Sequence, residues 1–462
     1  MNMYDSEVAE GVMAGAGFEI IKEGDTEEGK IVYLGSSTES PEVNADVFLM
    51  NTCSVREHAE ERVWGRLGIL GKVKQTNPNL IIGLMGCMVE EHREKLFKRF
   101  PQLDLMVGTR NIKELPGLVA QVRKNRRQVA SIKQDGLSIE YTDLIQRQGT
   151  HHAWLPIMTG CDKVCTFCIV PITRGAEVSM PAREVYREAS RLVDEGVKWI
   201  TLLGQNVNSY DGQITPHPNP LPANGERAGR SPGEGDKFPE LLDMLCEIKG
   251  LEAISFTTSH PQDATEELYR VIAKNPKISR RFHLPLQSGS SRILKRMKRL
   301  HTYEEYREKI VKMREMIPGI SVTTDIIAGF SGETQEDHEQ TVKALEEIRY
   351  DGAYIYKYSV RPGTPAAKLP DDVPHGVKEA RNAELLQIQK KIEKENNERC
   401  LGQTLEVFIE TVNPYRPSQI TGRSRDEKKV VIENGDPALI GRFHPVRLEA
   451  LKNETFFGKT VE

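Results

Sequence analysis

Over about the first 130 residues, short apolar runs alternate with longer stretches of helical spacing. Asp46-Val47-Phe48-Leu49-Met50 reads as a buried strand that ends at Asn51-Thr52-Cys53, and the charged stretch from Val55 to Lys74 reads as the helix after it. Leu80-Ile81-Ile82-Gly83-Leu84-Met85 repeats the pattern, ending at Gly86-Cys87 before a helix from Glu90 to Phe100, and Leu103 to Val107 reads as a third strand. Strand–helix alternation of this kind predicts a parallel sheet covered by helices. Cys53 and Cys87 then fall just past the carboxyl ends of their strands, the edge where open α/β sheets place ligands. Val8, Val12 and Ala16 keep helical spacing, so the chain opens on a helix with no strand before it. Lys124 to Gln148 is polar and weakly patterned, and reads as a connection.

From Ala153 to Tyr358 the strand-like runs are Trp154–Met158, Trp199–Leu203, Ala253–Thr257, Phe282–Leu286, Ser321–Ile327 and Ala353–Tyr358, with helical patterns between them. The helix from Thr302 carries Tyr306, Ile310, Met313 and Ile317 on one face and stops at Pro318-Gly319. These βα units make most, but not all, of an eight-unit barrel, so an open (β/α)6 barrel is predicted. Inside it, Gln213 to Asp236 is loaded with Pro, Gly and Asn, has no apolar period, and reads as a disordered surface insertion. A charged helix from Val377 to Glu398 follows. The runs Thr404–Glu410, Lys429–Ile432 and Pro445–Ala450, punctuated by Gly422, Gly435 and Gly441, then suggest a small β-barrel of roughly 60 residues. The expected division is therefore 1–125, 147–381 with the insertion at 213–236, and 384–462.

Charge narrows the picture a little. The net charge of −4, from 63 basic and 67 acidic residues, excludes a polycation but leaves room for a local basic face. No run approaches about 18 consecutive apolar residues, and the acidic start lacks an export pattern, so a cytoplasmic protein is expected. Seven cysteines, an odd number, argue against a disulfide scaffold and for metal.

Gly160-Cys161-Asp162-Lys163-Val164-Cys165-Thr166-Phe167-Cys168 places three cysteines spaced CxxxCxxC in a loop after a strand. Three thiolates can hold a four-iron cubane and leave one iron open, which is what a catalytic site needs. A zinc site would want a fourth ligand at regular spacing, and His151 and His152 match that poorly. At this motif the sequence resembles the radical S-adenosylmethionine superfamily. The resemblance implies a partial barrel, S-adenosylmethionine chelated by the open iron, and reductive cleavage to methionine and a 5′-deoxyadenosyl radical. It also places Phe167 near the adenine, and Gly204 and Gln205 (in LLGQN) and Gln287 and Ser288 (in LQSG) at the cofactor edge.

The runs CDKVCTFCIVPITRGAEVS, LLGQNVNSY, FHLPLQSGSSRILKRMKR, TTDIIAGFSGET and YSVRPGTPAA are similar to the methylthiotransferase family. They are most similar to members acting on isopentenylated adenosine beside the tRNA anticodon. The resemblance implies a C-terminal TRAM β-barrel and a second 4Fe–4S cluster on the N-terminal domain, with Cys53 (NTCSVRE) and Cys87 (MGCMVEE) as two of its ligands. The third ligand belongs to a GCQMN-type segment before YDSE, and this chain starts at Met1-Asn2-Met3-Tyr4-Asp5-Ser6-Glu7, inside that segment. The expectation is that the chain as given begins late, through a misassigned start or a real truncation. Ser331 in GFSGET stands where the family usually has proline, a departure expected to be mild.

The implied chemistry converts C–H to C–SCH₃: one S-adenosylmethionine methylates sulfur associated with the second cluster, and another supplies the radical. Cys246 and Cys400 have no partner spacing and read as bystanders. The expected partners are the tRNA anticodon stem-loop and a reductant protein such as a flavodoxin or ferredoxin, acting on a monomer with no membrane attachment. RNA-binding candidates are Arg292, Lys295, Arg296 and Lys298, in a basic run that continues through Arg299 and His301, and Arg423, Arg425 and Lys428 in the small barrel. Charge alone fits a solvated helical face equally well. Other substrates of the same chemistry, threonylcarbamoyl-adenosine in tRNA or a ribosomal-protein aspartate, stay open. A non-catalytic RNA-binding protein with a structural metal is disfavoured by the open three-cysteine pattern.

Overall fold

The computed structural model describes residues 2–21, 32–34, 45–54, 57–132, 145, 147, 150–212 and 237–461. The proposed insertion at 213–236 lies outside them. The first part is a six-stranded parallel sheet in sequential order: β1 Ile20–Ile21, β2 Val32–Leu34, β3 Val47–Thr52, β4 Ile81–Gly86, β5 Leu105–Val107 and β6 Val129–Ser131. Its central strands read as continuous apolar runs because both faces are covered. Val47, Leu49, Ile81 and Met85 face one way, against Val8, Val12 and Met13 of the opening helix (Asn2–Gly15) and Leu118 and Val122 of the helix Leu115–Asn125. Phe48, Met50, Ile82 and Leu84 face the other way, against Leu67 and Leu70 of the helix Glu57–Thr76. The two-residue period of a strand thus feeds two separate cores.

The sequence pattern predicts three of these strands. β1, β2 and β6 have two or three residues each, too short to show a period. β6 also falls in the stretch read as a connection, where the sheet overrides a polar pattern at its edge.

The second part holds β7 His152–Pro156, β8 Met158–Thr159, β9 Val178–Ser179, β10 Trp199–Leu203, β11 Ala253–Phe256, β12 Arg281–His283, β13 Ser321–Ala328 and β14 Gly352–Lys357. β7, β10 and β11 form one parallel sheet and β12, β13 and β14 another, adjoining through a parallel bridge between Ile254 and Ile278. The result is the open six-stranded arc that the strand runs predict. Helices cover it; the one from Tyr303 is opened by a capping box between Thr302 and Glu305 and buries Tyr306, Ile310 and Met313.

The last part is a closed barrel of β15 Thr404–Asn413, β16 Arg416–Ser424, β17 Lys429–Glu433, β18 Phe443–Lys452 and β19 Thr455–Thr460, in the order β15-β16-β17-β19-β18. It sits at the amino ends of the larger barrel's strands. Trp199, first residue of β10, packs with ring centroids 5.6 Å from Phe408 and 6.0 Å from Phe443. Ser279 donates to the Arg425 carbonyl at 3.0 Å, and Arg281 pairs with Glu427 at 3.0 Å. Among the described residues no helix is long and apolar enough to cross a membrane.

Candidate functional site

The chemistry-bearing residues gather at the opposite, carboxyl edge of the large barrel. The cysteine loop leaves β8 at Gly160, whose φ of +77° and crowding (a Cβ would lie 1.9 Å from the Ala176 carbonyl oxygen) exclude any side chain. The Cys161 N–H donates to the Gly175 carbonyl at 3.1 Å, closing the loop's base. Its crown is pinned by Thr166, which donates through its N–H to the Met297 carbonyl at 3.0 Å and through its hydroxyl to the Arg296 carbonyl at 3.1 Å. Cys161 and Cys165 are buried, and Cys168 is partly exposed.

Burial pushes the Cys161 thiol well up and, with Cys165 nearby, the Cys168 thiol up to about 12. These thiols therefore wait for a metal to displace their protons. Among the described residues only Glu60, Glu91 and His92 bring three ligand atoms of His, Cys, Asp or Glu side chains within 4.8 Å of one another. The three thiols are thus spread wider than a single ion would hold them. Three sulfurs on one loop at CxxxCxxC spacing fit a cubane cluster with one iron left open.

Gly204 and Gln205 follow β10 directly. Gly204 is packed so closely on Met158 that a Cβ would come within 2.4 Å of its side chain. Gln205 Oε1 and Asn206 Oδ1 are buried acceptors with no partner among the described residues. Asn206 Nδ2 is fixed by Asp263 at 2.8 Å, and Asp263 is paired in turn with Lys163 of the cysteine loop. Beside them burial, reinforced by the Asp162 carboxylate, pushes Glu177 up to about 7 while Ser209 donates to it at 2.7 Å. Unpaired acceptors and carboxylates next to the thiols suit the ammonium group of a methionine moiety. Phe167 lies edge-on to Phe330 at 6.4 Å.

Gln287 adopts a left-handed φ of +76° and is held to β13 by Asp325 and Ile327. Ser288 points away from the edge: it is fully buried, accepts from the Ser290 N–H and lies 3.4 Å from the Thr341 hydroxyl. Sequence reasoning placed both residues at the cofactor edge. Gln287 ties the loop to β13 through its backbone, and Ser288 holds the loop from within.

Cys53 and Cys87 come together by strand register. Thr52 pairs with Gly86 across β3 and β4, so each cysteine is the next residue past a paired position. The guanidinium of Arg174, six residues past Cys168, lies close enough to Cys87 to act on it electrostatically and forms a buried ion pair with Asp5 of the opening helix. The two cysteine sets therefore share one wall. Cys246 and Cys400 pack against the large and small barrel cores.

The basic candidates separate into two places. Lys295 and Lys298 are exposed beside the cysteine loop. Arg292 keeps half its side chain exposed but pairs with Asp337. Arg296 donates to the Ser331 carbonyl at 3.1 Å and to its hydroxyl at 3.3 Å, and that hydroxyl donates to the Pro370 carbonyl at 2.8 Å, so the Ser331 side chain and carbonyl are both partnered. Arg423 pairs with Glu410 at the small barrel. Arg425, stacked 3.9 Å from the Phe443 ring and bonded to the Pro276 carbonyl, serves the barrel–barrel contact, and Lys428 is paired with Asp426 in its own turn, so neither presents a free cation. Arg299 is not on the basic face at all: it is buried, with 4% of its surface exposed. Sequence reasoning missed Arg174, Glu177 and Asp263, which carry no spacing signal.

Family comparisons agree with this arrangement. The Radical SAM superfamily model matches residues 155–345, the uncharacterized protein family UPF0004 matches 29–108, and the TRAM domain matches 398–461. Among solved structures, the radical S-adenosylmethionine methyltransferase TsrM from Kitasatospora setae is similar in fold, with a TM-score of 0.50 at 13% identity over 87% of this chain and 77% of that one. Barrel and thiol loop define a radical S-adenosylmethionine enzyme, which holds a 4Fe–4S cluster and binds S-adenosylmethionine. The tRNA-2-methylthio-N(6)-dimethylallyladenosine synthase of Pelotomaculum thermopropionicum is 40% identical over 96% of this chain and 92% of its own. That of Thermoanaerobacter pseudethanolicus is 39% identical over 100% and 91%. The chain belongs to the tRNA-2-methylthio-N(6)-dimethylallyladenosine synthase family.

Proposed function

We propose that the protein is a tRNA methylthiotransferase that replaces the hydrogen on carbon 2 of isopentenylated (dimethylallyl) adenosine, next to the anticodon, with a methylthio group. The observation that carries this reading is the shared wall: a three-thiol loop at the open barrel edge stands beside Cys53 and Cys87 through Arg174. Cys161, Cys165 and Cys168 would hold the cluster that passes an electron to S-adenosylmethionine and so supplies the radical. Cys53 and Cys87 would hold a second cluster that supplies sulfur. An aromatic C–H resists acid–base activation, which gives a radical cofactor its rationale.

The chain's own residues bind and orient. Gln205, Asn206 and Glu177 offer acceptors to the ammonium group, Gly204 lets the strand end that carries them pack on Met158, and Phe167 and Gln287 frame the adenosine side. Lys295 and Lys298, with the exposed half of Arg292, form the phosphate-facing edge nearest the thiols, and Arg423 lies remote from it. A single-stranded anticodon loop can splay its base into an open edge of this kind. A flavodoxin- or ferredoxin-type protein would deliver the electrons, to a cytoplasmic monomer.

The test is anaerobic reconstitution with iron and sulfide, followed by incubation with S-adenosylmethionine, reductant and tRNA carrying isopentenylated adenosine. Nucleoside mass spectrometry is expected to show the 2-methylthio product together with 5′-deoxyadenosine. Product only on threonylcarbamoyl-adenosine tRNA or on a ribosomal-protein aspartate would replace the substrate. A cluster-loaded protein that makes no 5′-deoxyadenosine would overturn the enzyme reading.

A further inference from the structure

The basic run after β12 hides a residue that behaves unlike its neighbours. Lys298 and Leu300 both adopt left-handed backbone, with φ of +53° and +58°. That region is costly for a side-chain-bearing residue, and Leu300 gains no burial from it, being 58% exposed. What the two turns achieve is to send Arg299 inward. Its Nη1 donates to Cys165 Sγ at 3.3 Å and its Nη2 to the Pro285 carbonyl at 2.7 Å.

Among the described residues these are its side-chain partners, and neither is a carboxylate; Nε has none. His260 and His301 flank it as neutral rings, held down by burial first and by the Arg299 charge second. A buried guanidinium without a counter-ion is costly. Arg174 beside Cys87 makes the contrast, since Asp5 already neutralises it. The segment is also fastened to the thiol loop through Thr166, so the guanidinium and Cys165 move as one piece.

We propose that Arg299 is the built-in counter-charge of the radical-site cluster, a positioning residue that raises the cluster's reduction potential by donating to Cys165. This rests on the assignment of Cys161, Cys165 and Cys168 to that cluster. Reduction adds one electron to the cluster and makes or breaks no bond. The added negative charge falls next to a fixed positive one in a site from which water is largely excluded, so the reduced form is stabilised more than the oxidised form. Hydrogen bonds to cluster sulfurs and local charge are among the levers that set such potentials.

The experiment is an electron paramagnetic resonance redox titration with dithionite on the full-length Cys53→Ala/Cys87→Ala protein, in which a single cluster remains. Iron is counted before each titration. Arg299→Met is expected to keep about four irons. Its reduction equilibrium constant is expected to fall at least about tenfold, a drop of about 60 mV for one electron. Arg299→Lys, which keeps the charge, is expected to recover most of that drop. An unchanged potential in Arg299→Met, or equal potentials in the Met and Lys variants, would overturn the proposal. If Arg299→Met does not load iron, Arg299→Gln against Arg299→Lys gives the same decision, and loss of iron in all three would show a structural role instead. A parent protein that holds no iron would refute the cluster assignment itself.

Discussion

The two cysteine sites are built by different means. Cys161, Cys165 and Cys168 lie on one short loop whose shape is enforced locally, by Gly160 at its base and Thr166 at its crown. Cys53 and Cys87 lie at the ends of neighbouring strands and meet only because β3 and β4 pair in register. One site is a property of nine consecutive residues, the other of a folded sheet. Their arginines differ in the same sense. Arg174 is neutralised by Asp5 and ties the sheet to the barrel, whereas Arg299 has no carboxylate partner among the described residues and leans on its thiol. A locally built site can keep its chemistry when the sheet is disturbed, and a register-built one cannot.

The strongest way to break the comparison is at the loop. Cys165→Ala is expected to lose about four irons and to reduce 5′-deoxyadenosine formation to the buffer background, by iron assay and chromatography. Cys87→Ala should act differently, keeping 5′-deoxyadenosine near the parent rate while the methylthio product disappears. Next comes the wall between the sites. Asp5→Ala leaves Arg174 buried without its partner, which costs about 3–5 kcal/mol; urea unfolding followed by fluorescence should show that loss, with iron on the loop cysteines retained. An unchanged midpoint would mean the ion pair does not hold the two parts together. The smallest effect is expected at the rim. Lys295→Ala or Lys298→Ala should each lower the slope of log affinity against log salt for an anticodon stem-loop by about 1. Lys428→Ala, whose ammonium is held by Asp426, should leave that slope unchanged.

What the sequence made legible follows the same division. The strand runs of the large barrel and the CxxxCxxC loop are local patterns, and the structure holds them where the spacing placed them. The strand pattern placed Cys53 and Cys87 at one sheet edge, but that they stand side by side was not legible, since register is invisible in spacing. β1, β2 and β6 are too short to announce themselves. In the small barrel β16 and β19 went unread, because Arg416–Ser424 and Thr455–Thr460 mix polar residues into strands that close a barrel. Charge misled most. Arg299 sits between two exposed residues in a basic run, and only the backbone turns at Lys298 and Leu300 reveal that it points inward. Arg425 and Lys428 looked like phosphate ligands, yet one is bonded to the Pro276 carbonyl and the other is paired with Asp426 in its own turn. A run of basic residues reports composition, not direction.

The claim on which everything else depends is the division of labour between the two cysteine sites. Its most direct measurement is a paired assay on the Cys53→Ala/Cys87→Ala protein, reconstituted and supplied with S-adenosylmethionine, reductant and isopentenylated tRNA. The account predicts 5′-deoxyadenosine with no 2-methylthio product. Appearance of the methylthio nucleoside from this variant, or loss of 5′-deoxyadenosine with the loop cluster loaded, would contradict it.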